Sequence, residues 1–133
     1  MLQLINEQRR MRTDCGSEGV FEPTDALVFD ADLRCAARNH SKDMAERDFF
    51  SHENPEGETV YDREIKAGYP AAMAGENIAG GQETPEAVLE AWLGSPGHCA
   101  NVMSPYFADA AIGYYYAPTS TYRHYWTFDL GTP

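Results

Sequence analysis

The sequence predicts one domain in which helices pack in layers against a small β-sheet. Three observations lead there. Helix-periodic segments with recognisable caps fill most of the chain up to residue 103, and strand-patterned segments close it. The length of 133 residues, without repeats, low-complexity tracts or linkers, suits a single domain, 1–133. Such a chain buries roughly two thirds of its unfolded surface.

Residues 2–12 read as a helix carrying Leu2, Ile5, Gln8 and Arg9 with few breakers. Residues 13–27 read as loop, marked by Asp14, Gly16, Gly19 and Pro23. A long helix runs from Asp30 or Ala31 to Arg47, because Leu33, Ala36, Ala37, His40 and Met44 recur at spacings of three and four. Asp30 or Asp32 can accept hydrogen bonds from its first-turn N–H groups, and Ser41 and Asp43 fall on a more polar side. SHENPEGE at 51–58 reads as turn. Thr59 with Asp62 forms a capping-box variant that opens a short helix to Ala67, stopped by Gly68. The glycines of GENIAGG at 75–81 rule out an ordinary helix interior. Thr84 and Ser95, each followed by proline, start two more helices, since proline at the first helical position loses no needed N–H. Val88, Leu89, Trp92 and Leu93 form the inner face of the first; the second spans 96–103. Residues 110–117 and 122–130 read as strands, and the latter alternates Tyr122, His124, Trp126, Phe128 and Leu130 with Arg123, Tyr125, Thr127 and Asp129. PTST at 118–121 turns between them, so antiparallel pairing is expected. A hairpin alone is marginal, so a third strand is required; ALVF at 26–29 is the candidate the pattern offers.

Composition excludes several function classes. Ten basic against twenty-one acidic residues give a net charge of −11, the opposite of a nucleic-acid footprint and a poor match to an anionic membrane surface. A hydrophobic content of 43% argues against wholesale disorder, and no run approaches a transmembrane segment. The sequence lacks GxGxxG, a Walker loop, HExxH, a GxSxG elbow and CxxC. MLQLINEQRRMRTDC lacks the basic-then-apolar layout of a signal peptide, so the chain is either cytosolic or has a leader that is missing from this sequence. Cys15, Cys35 and Cys99 lack zinc-knuckle spacing and allow three disulfide pairings. In a reducing compartment all three are expected as buried thiols, Cys35 included because its helical stretch is apolar. In an oxidising one, a single bridge is expected.

Four histidines carry the remaining chemistry: His40, His52, His98 and His124. His52 lies just past a helix end. His98 sits in the first turn of a short helix, where the positive helix end favours a neutral ring that can ligate a metal or act as a base. Glu76 lies in the bendable segment Ala74-Gly75-Glu76-Asn77. The plain alternative for each is a structural side chain satisfied by a carbonyl or a carboxylate.

HSKDMAERDFFSH (40–52), AGENIAGG (74–81), AWLGSPGHCANVM (91–103), IGYYY (112–116) and HYWTFDLG (124–131) stand in an order that resembles the CAP superfamily. This is the SCP-like extracellular domain of cysteine-rich secretory proteins, plant pathogenesis-related proteins of class 1 and insect venom antigens, here in its short bacterial form. The resemblance spans residues 1–131. It implies an α+β fold, a three-layer α-β-α sandwich with a small antiparallel sheet between helical layers. It also implies a surface cleft lined by two histidines and two acids. The first histidine falls on His52, the glutamate of the GEN motif on Glu76, and the second histidine on His98. The remaining acid lies three residues after the tryptophan, where this chain has Ser95; Glu90, on another helix face, does not replace it. The family further implies an extracellular, periplasmic or cell-envelope location, with a leader absent from this sequence, and a disulfide that involves Cys99, its partner left open.

Neutral imidazoles at His52 and His98 can hold zinc or another divalent cation with water in the open positions. Glu76 would then orient a ring or hold that water. Two histidines make a weak site beside a three-ligand catalytic zinc. For metal-independent chemistry the nearby hydroxyl is Ser95, whose role as a helix cap explains it without catalysis. His40 and Met44 share the packed face of the long helix. Asn77 and Asn101 suit the tying of loop backbone, Trp92, Trp126 and Phe128 suit the core, and Tyr115, opposite Tyr114 and Tyr116, is expected to be buried. Three functions follow. The first is a secreted or envelope-associated binding module for a small molecule, peptide, lipid or glycan, with or without a metal. The second is a metal-assisted hydrolase or protease using His52, His98 and Glu76. The third is a structural envelope protein with a vestigial cleft.

Overall fold

The computed structural model describes Met1–Pro133. The long helix is α2 (Ala31–Arg47), and its start is fixed as the sequence implies: Asp30 accepts from the backbone N–H of Asp32 and of Leu33. Helix α3 (Val60–Ala67) opens on the Thr59/Asp62 capping box and stops at Gly68, whose φ of 107° is left-handed. Helix α4 (Pro85–Leu93) is capped by the Thr84 hydroxyl, and α5 (Pro96–Met103) follows. Ser95 occupies the N-cap of α5, but its side chain makes no cap hydrogen bond, so the capping role expected for its hydroxyl is not realised. Helix α1 (Leu2–Arg9) ends earlier than its composition implies. The segment expected as loop holds a two-rung hairpin, β1 (Thr13–Asp14) with β2 (Val20–Phe21).

The central sheet has the order β3 (Val28–Phe29), β5 (Asp109–Tyr116), β6 (His124–Thr132), β4 (Met73–Gly80). Its three long strands are antiparallel; the two-residue β3 joins β5 in parallel. The segment 26–29 therefore contributes only a rim, and the strand that stabilises the hairpin is the glycine-rich one. Its glycines serve close approach: a Cβ at Gly75 would strike the Phe107 ring, and one at Gly80 the Tyr122 ring.

Helices α2 and α3 cover one face, and α1, α4 and α5 the other. Gly113 on β5 lets α2 lie close, since a Cβ there would collide with the backbone of Ala37 and Arg38. Ser41 does not face a polar side. It is fully buried, donates to the Gly113 carbonyl at 3.0 Å and shares a 2.7 Å hydrogen bond with Thr127. The opposite face holds the main apolar cluster, where Trp92 stacks on Phe128 at 5.6 Å and donates its Nε1–H to the Ile78 carbonyl. Because β6 is central, its residues are buried on both faces, including the Thr127 and Asp129 that alternation alone places outside. Tyr115 is half-buried rather than buried, its hydroxyl bonded to Glu46 near the sheet rim.

The cysteines follow the oxidised expectation. Cys15 and Cys99 form a buried disulfide with Cα atoms 5.5 Å apart. Cys35 is a free thiol and exposed, because it points away from the sheet despite its apolar neighbours in sequence.

Candidate functional site

Three elements meet at the edge strand β4. The chain leaves α2 through a left-handed residue at Asp48 (φ 51°), and the following segment carries His52 back over the sheet edge. That segment is held from below. His40 on α2 donates its Nε2–H to the Ser51 carbonyl at 2.9 Å, and Arg63 on α3 donates Nη1 to the carbonyls of His52 (2.6 Å) and Glu58 (3.1 Å).

Glu76 projects from β4 into the gap between these groups, its side chain 1% exposed. One carboxylate oxygen accepts from Nδ1 of His52 at 2.8 Å, and the other from Nη2 of Arg63 at 2.5 Å. The acceptor role of Glu76 places the proton of His52 on Nδ1. In the neutral ring Nε2 then carries the lone pair; it has no partner in the protein and belongs to a side chain 55% exposed. Burial alone would push the Glu76 carboxyl up. The His52 bond and the charges of Arg63 and His40 outweigh it and hold the carboxyl below its usual range.

His98 enters from the other side, on the first turn of α5. Asn77, the residue after Glu76, donates to the His98 carbonyl at 3.0 Å, and Asn101 bridges to the Glu76 carbonyl and the Asn77 side chain. The two asparagines thus tie α5 to β4, as their type implies, although Asn77 stands in a strand and not beside a turn. Cys99, next in the chain, anchors the same turn through its disulfide. Partial burial and then the charge of the neighbouring His52 lower the His98 pKa and favour its neutral ring. His52, Glu76 and His98 therefore share one site. Ser95 lies one turn earlier, at the N-cap of α5, with no hydrogen bond from its hydroxyl to any of the three.

The residues could hold a metal only in a limited way. No group of three or more histidine, cysteine or acidic side chains is arranged to bind an ion. Both oxygens of Glu76 are already engaged, so the available donors are the two imidazoles. A surface groove of about 730 Å³ lies elsewhere, between α2 and α3, with His40 and Arg63 in its lining.

Four buried neighbours of this cluster escape the motif-based reading as site residues: Arg63, Glu64, Asp129 and His40. All are buried close to Glu76 or to one another. The available signal was an acid at 129 in a strand that a third strand would have to cover.

The description of the matching family model is "CAP: Cysteine-rich secretory protein family", and it covers residues 22–130. A Bacillus subtilis relative, YkwD, is 40% identical over 88 residues, which is 66% of this chain and 34% of that protein. A second, the Bacillus subtilis membrane protein YlbC, is 31% identical over 65% of this chain and 25% of its own length. The chain thus spans about a third or less of these relatives. Among solved structures, an extracellular SCP-domain protein from Bacillus anthracis aligns with a TM-score of 0.73 and 30% identity, covering 83% of this chain and 35% of that one. An outer surface protein of Borrelia burgdorferi aligns with a TM-score of 0.79 at 22% identity, over 98% of this chain and 88% of its own, a likeness of fold. With the motif order, the α-β-α layers and the family model in agreement, the chain belongs to the CAP family of cysteine-rich secretory proteins.

Proposed function

We propose that the chain is a secreted or envelope-associated binding domain whose cleft holds a divalent cation, zinc by ligand type, between His52 and His98. A peptide, lipid, glycan or small molecule would bind beside it. The observation that carries this reading is the 2.8 Å bond from His52 Nδ1 to Glu76. A carboxylate behind an imidazole fixes the tautomer that presents Nε2 and raises its basicity, the arrangement typical of metal-binding histidines. A neutral His98 suits the second ligand. Two imidazoles leave most coordination positions to water or to a ligand, which fits a weak, exchangeable ion. The Cys15–Cys99 disulfide supports an oxidising location, as does the extracellular location of the Bacillus anthracis protein.

The hydrolase reading asks Glu76 to act as a base. Its side chain is buried, both oxygens are bonded, and its pKa is held low, all of which disfavour that role. Binding without chemistry is the better-supported reading.

The test is zinc titration by calorimetry at about pH 7.5 and about pH 5.5, because protonated imidazole cannot ligate. Affinity should fall about 10–100-fold at the lower pH and disappear in the His52→Ala/His98→Ala double variant. Equal affinity at both values, or in the variant, would rule out a site built on these histidines.

A further inference from the structure

Below Glu76 lies an acid that the cleft, as described, leaves unused. Asp129 on β6 is the direct cross-strand partner of Glu76 on β4, so the two side chains leave the same face of the sheet. Asp129 is 0% exposed, and neither of its carboxyl oxygens has an N–H or O–H donor in the protein. The charged and titratable groups facing it are Glu76 from β4 and Glu64 and Arg63 from α3, with His40 of α2 beyond, 3.9 Å from Glu76. Arg63 gives it no hydrogen bond: Nη2 is bonded to Glu76, Nη1 to two carbonyls, and the buried Nε reaches no acceptor; its charge favours the Asp129 anion less than burial and Glu76 oppose it. Glu64 is likewise fully buried without a donor.

An ionised carboxylate in such a place would be an uncompensated buried charge, which proteins avoid by keeping the proton. Two adjacent carboxyl groups can bond each other only when one retains its hydrogen. Glu76 has His52 and Arg63 to stabilise its anion, whereas Asp129 has neither. The proton therefore belongs on Asp129. Burial first, and the neighbouring Glu76 second, hold Asp129 well above the usual carboxylate range, in accord with this placement.

We infer that Asp129 is a positioning residue of the cleft: a carboxylic acid whose O–H donates to Glu76, so that Glu76 stays an ionised acceptor for the Nδ1–H of His52 and Nε2 keeps its lone pair at the exposed edge. The relay runs acid, carboxylate, imidazole, from the sheet interior to the surface. Its functional meaning rests on His52 being the ligand of the cleft; its chemistry does not.

Metal-free protein carrying ¹³C only in its aspartate carboxyl groups tests the proton directly in the infrared at about pH 7.5. The glutamates, Glu64 and Glu76 included, lack the isotope shift. One isotope-shifted carboxylic-acid C=O band is expected, lost in Asp129→Asn. No such band in the unsubstituted protein would overturn the inference, since the proton would then lie elsewhere. The positioning role is read from the ring ¹⁵N shifts of His52. Asp129→Asn still offers an N–H to Glu76 and should keep the Nδ1–H tautomer, whereas Asp129→Leu, where folded, should move the ring toward a mixture. An unchanged tautomer in folded Asp129→Leu would also overturn it. Both readouts are taken without metal. Failure to bind zinc would therefore remove the proposed ligand role of His52 and leave the Asp129 proton to be judged by its own band.

Discussion

On the face of the sheet covered by α1, α4 and α5, Trp92, Val102, Met103, Phe128 and Leu130 belong to one continuous apolar cluster stapled by Cys15–Cys99. On the α2/α3 face, two small apolar clusters lie apart. One is Leu33, Tyr69, Ala71 and Ala111; the other is Met44, Ala45, Ile78 and Tyr125. The acids Glu64, Glu76 and Asp129, with Arg63 and His40, share that face with them. Apolar packing and buried polar groups are thus concentrated on opposite sides of one sheet. Apolar packing holds α5 and with it His98. A buried polar network, expensive to desolvate and tolerable only when protons and charges are matched, holds Glu76 and with it His52.

Removing the staple should cut deepest. Cys15→Ala/Cys99→Ala opens a cross-link of sequence separation 84, for which chain entropy predicts a loss of about 4–5 kcal/mol. Urea unfolding of the double variant measures it, and a loss under about 1 kcal/mol would mean that the apolar cluster holds α5 unaided. Trp92→Ala removes a fully buried ring, its stack on Phe128 and its bond to Ile78. It should cost about 3–5 kcal/mol, by the same amount at pH 6 and pH 8 because no titrating group is involved (both values approximate).

The polar face should respond to pH instead. Burial, and then the charge of Glu76, push Glu64 up to about 8 from its ordinary 4.5. The native chain then keeps a proton that the unfolded chain loses, so stability falls as pH rises between these values. Glu64→Gln, which cannot ionise, should remove part of that fall and be the more stable protein above about pH 8, by on the order of 2 kcal/mol. Guanidinium unfolding at a series of pH values measures this. A variant with the same slope as the parent would mean that Glu64 is not the proton holder. On the acid side His40, lowered by burial, acts in the opposite sense: the native ring stays neutral where the unfolded one protonates, and stability is lost as pH drops below 6.5.

Local features were legible where local physics decides. Asp30, Thr59 with Asp62, Gly68 and Thr84 mark their helix ends because a cap needs only the backbone beside it. The motif order singled out His52, Glu76 and His98, which the fold brings to the edge strand β4. What stayed hidden depends on neighbours distant in sequence. GENIAGG became a strand because it pairs with β6 along most of its length, its glycines leaving room for the rings of Phe107 and Tyr122. Ser41 turned inward because Gly113 lets α2 sit against the sheet. Cys35 turned outward on the other side of the same helix.

The helices, the closing hairpin and the family were readable along the chain, since caps, periodicity and motif order are properties of short segments. Other features exist only once the chain is folded. Strand β6 comes to lie between β5 and β4, Asp129 is thereby buried beside Glu76, and Arg63 and His40 come up beneath the His52 segment. The state of a carboxyl group depends on its burial and on the donors around it, and for Asp129 both are set by which strand lies next to its own.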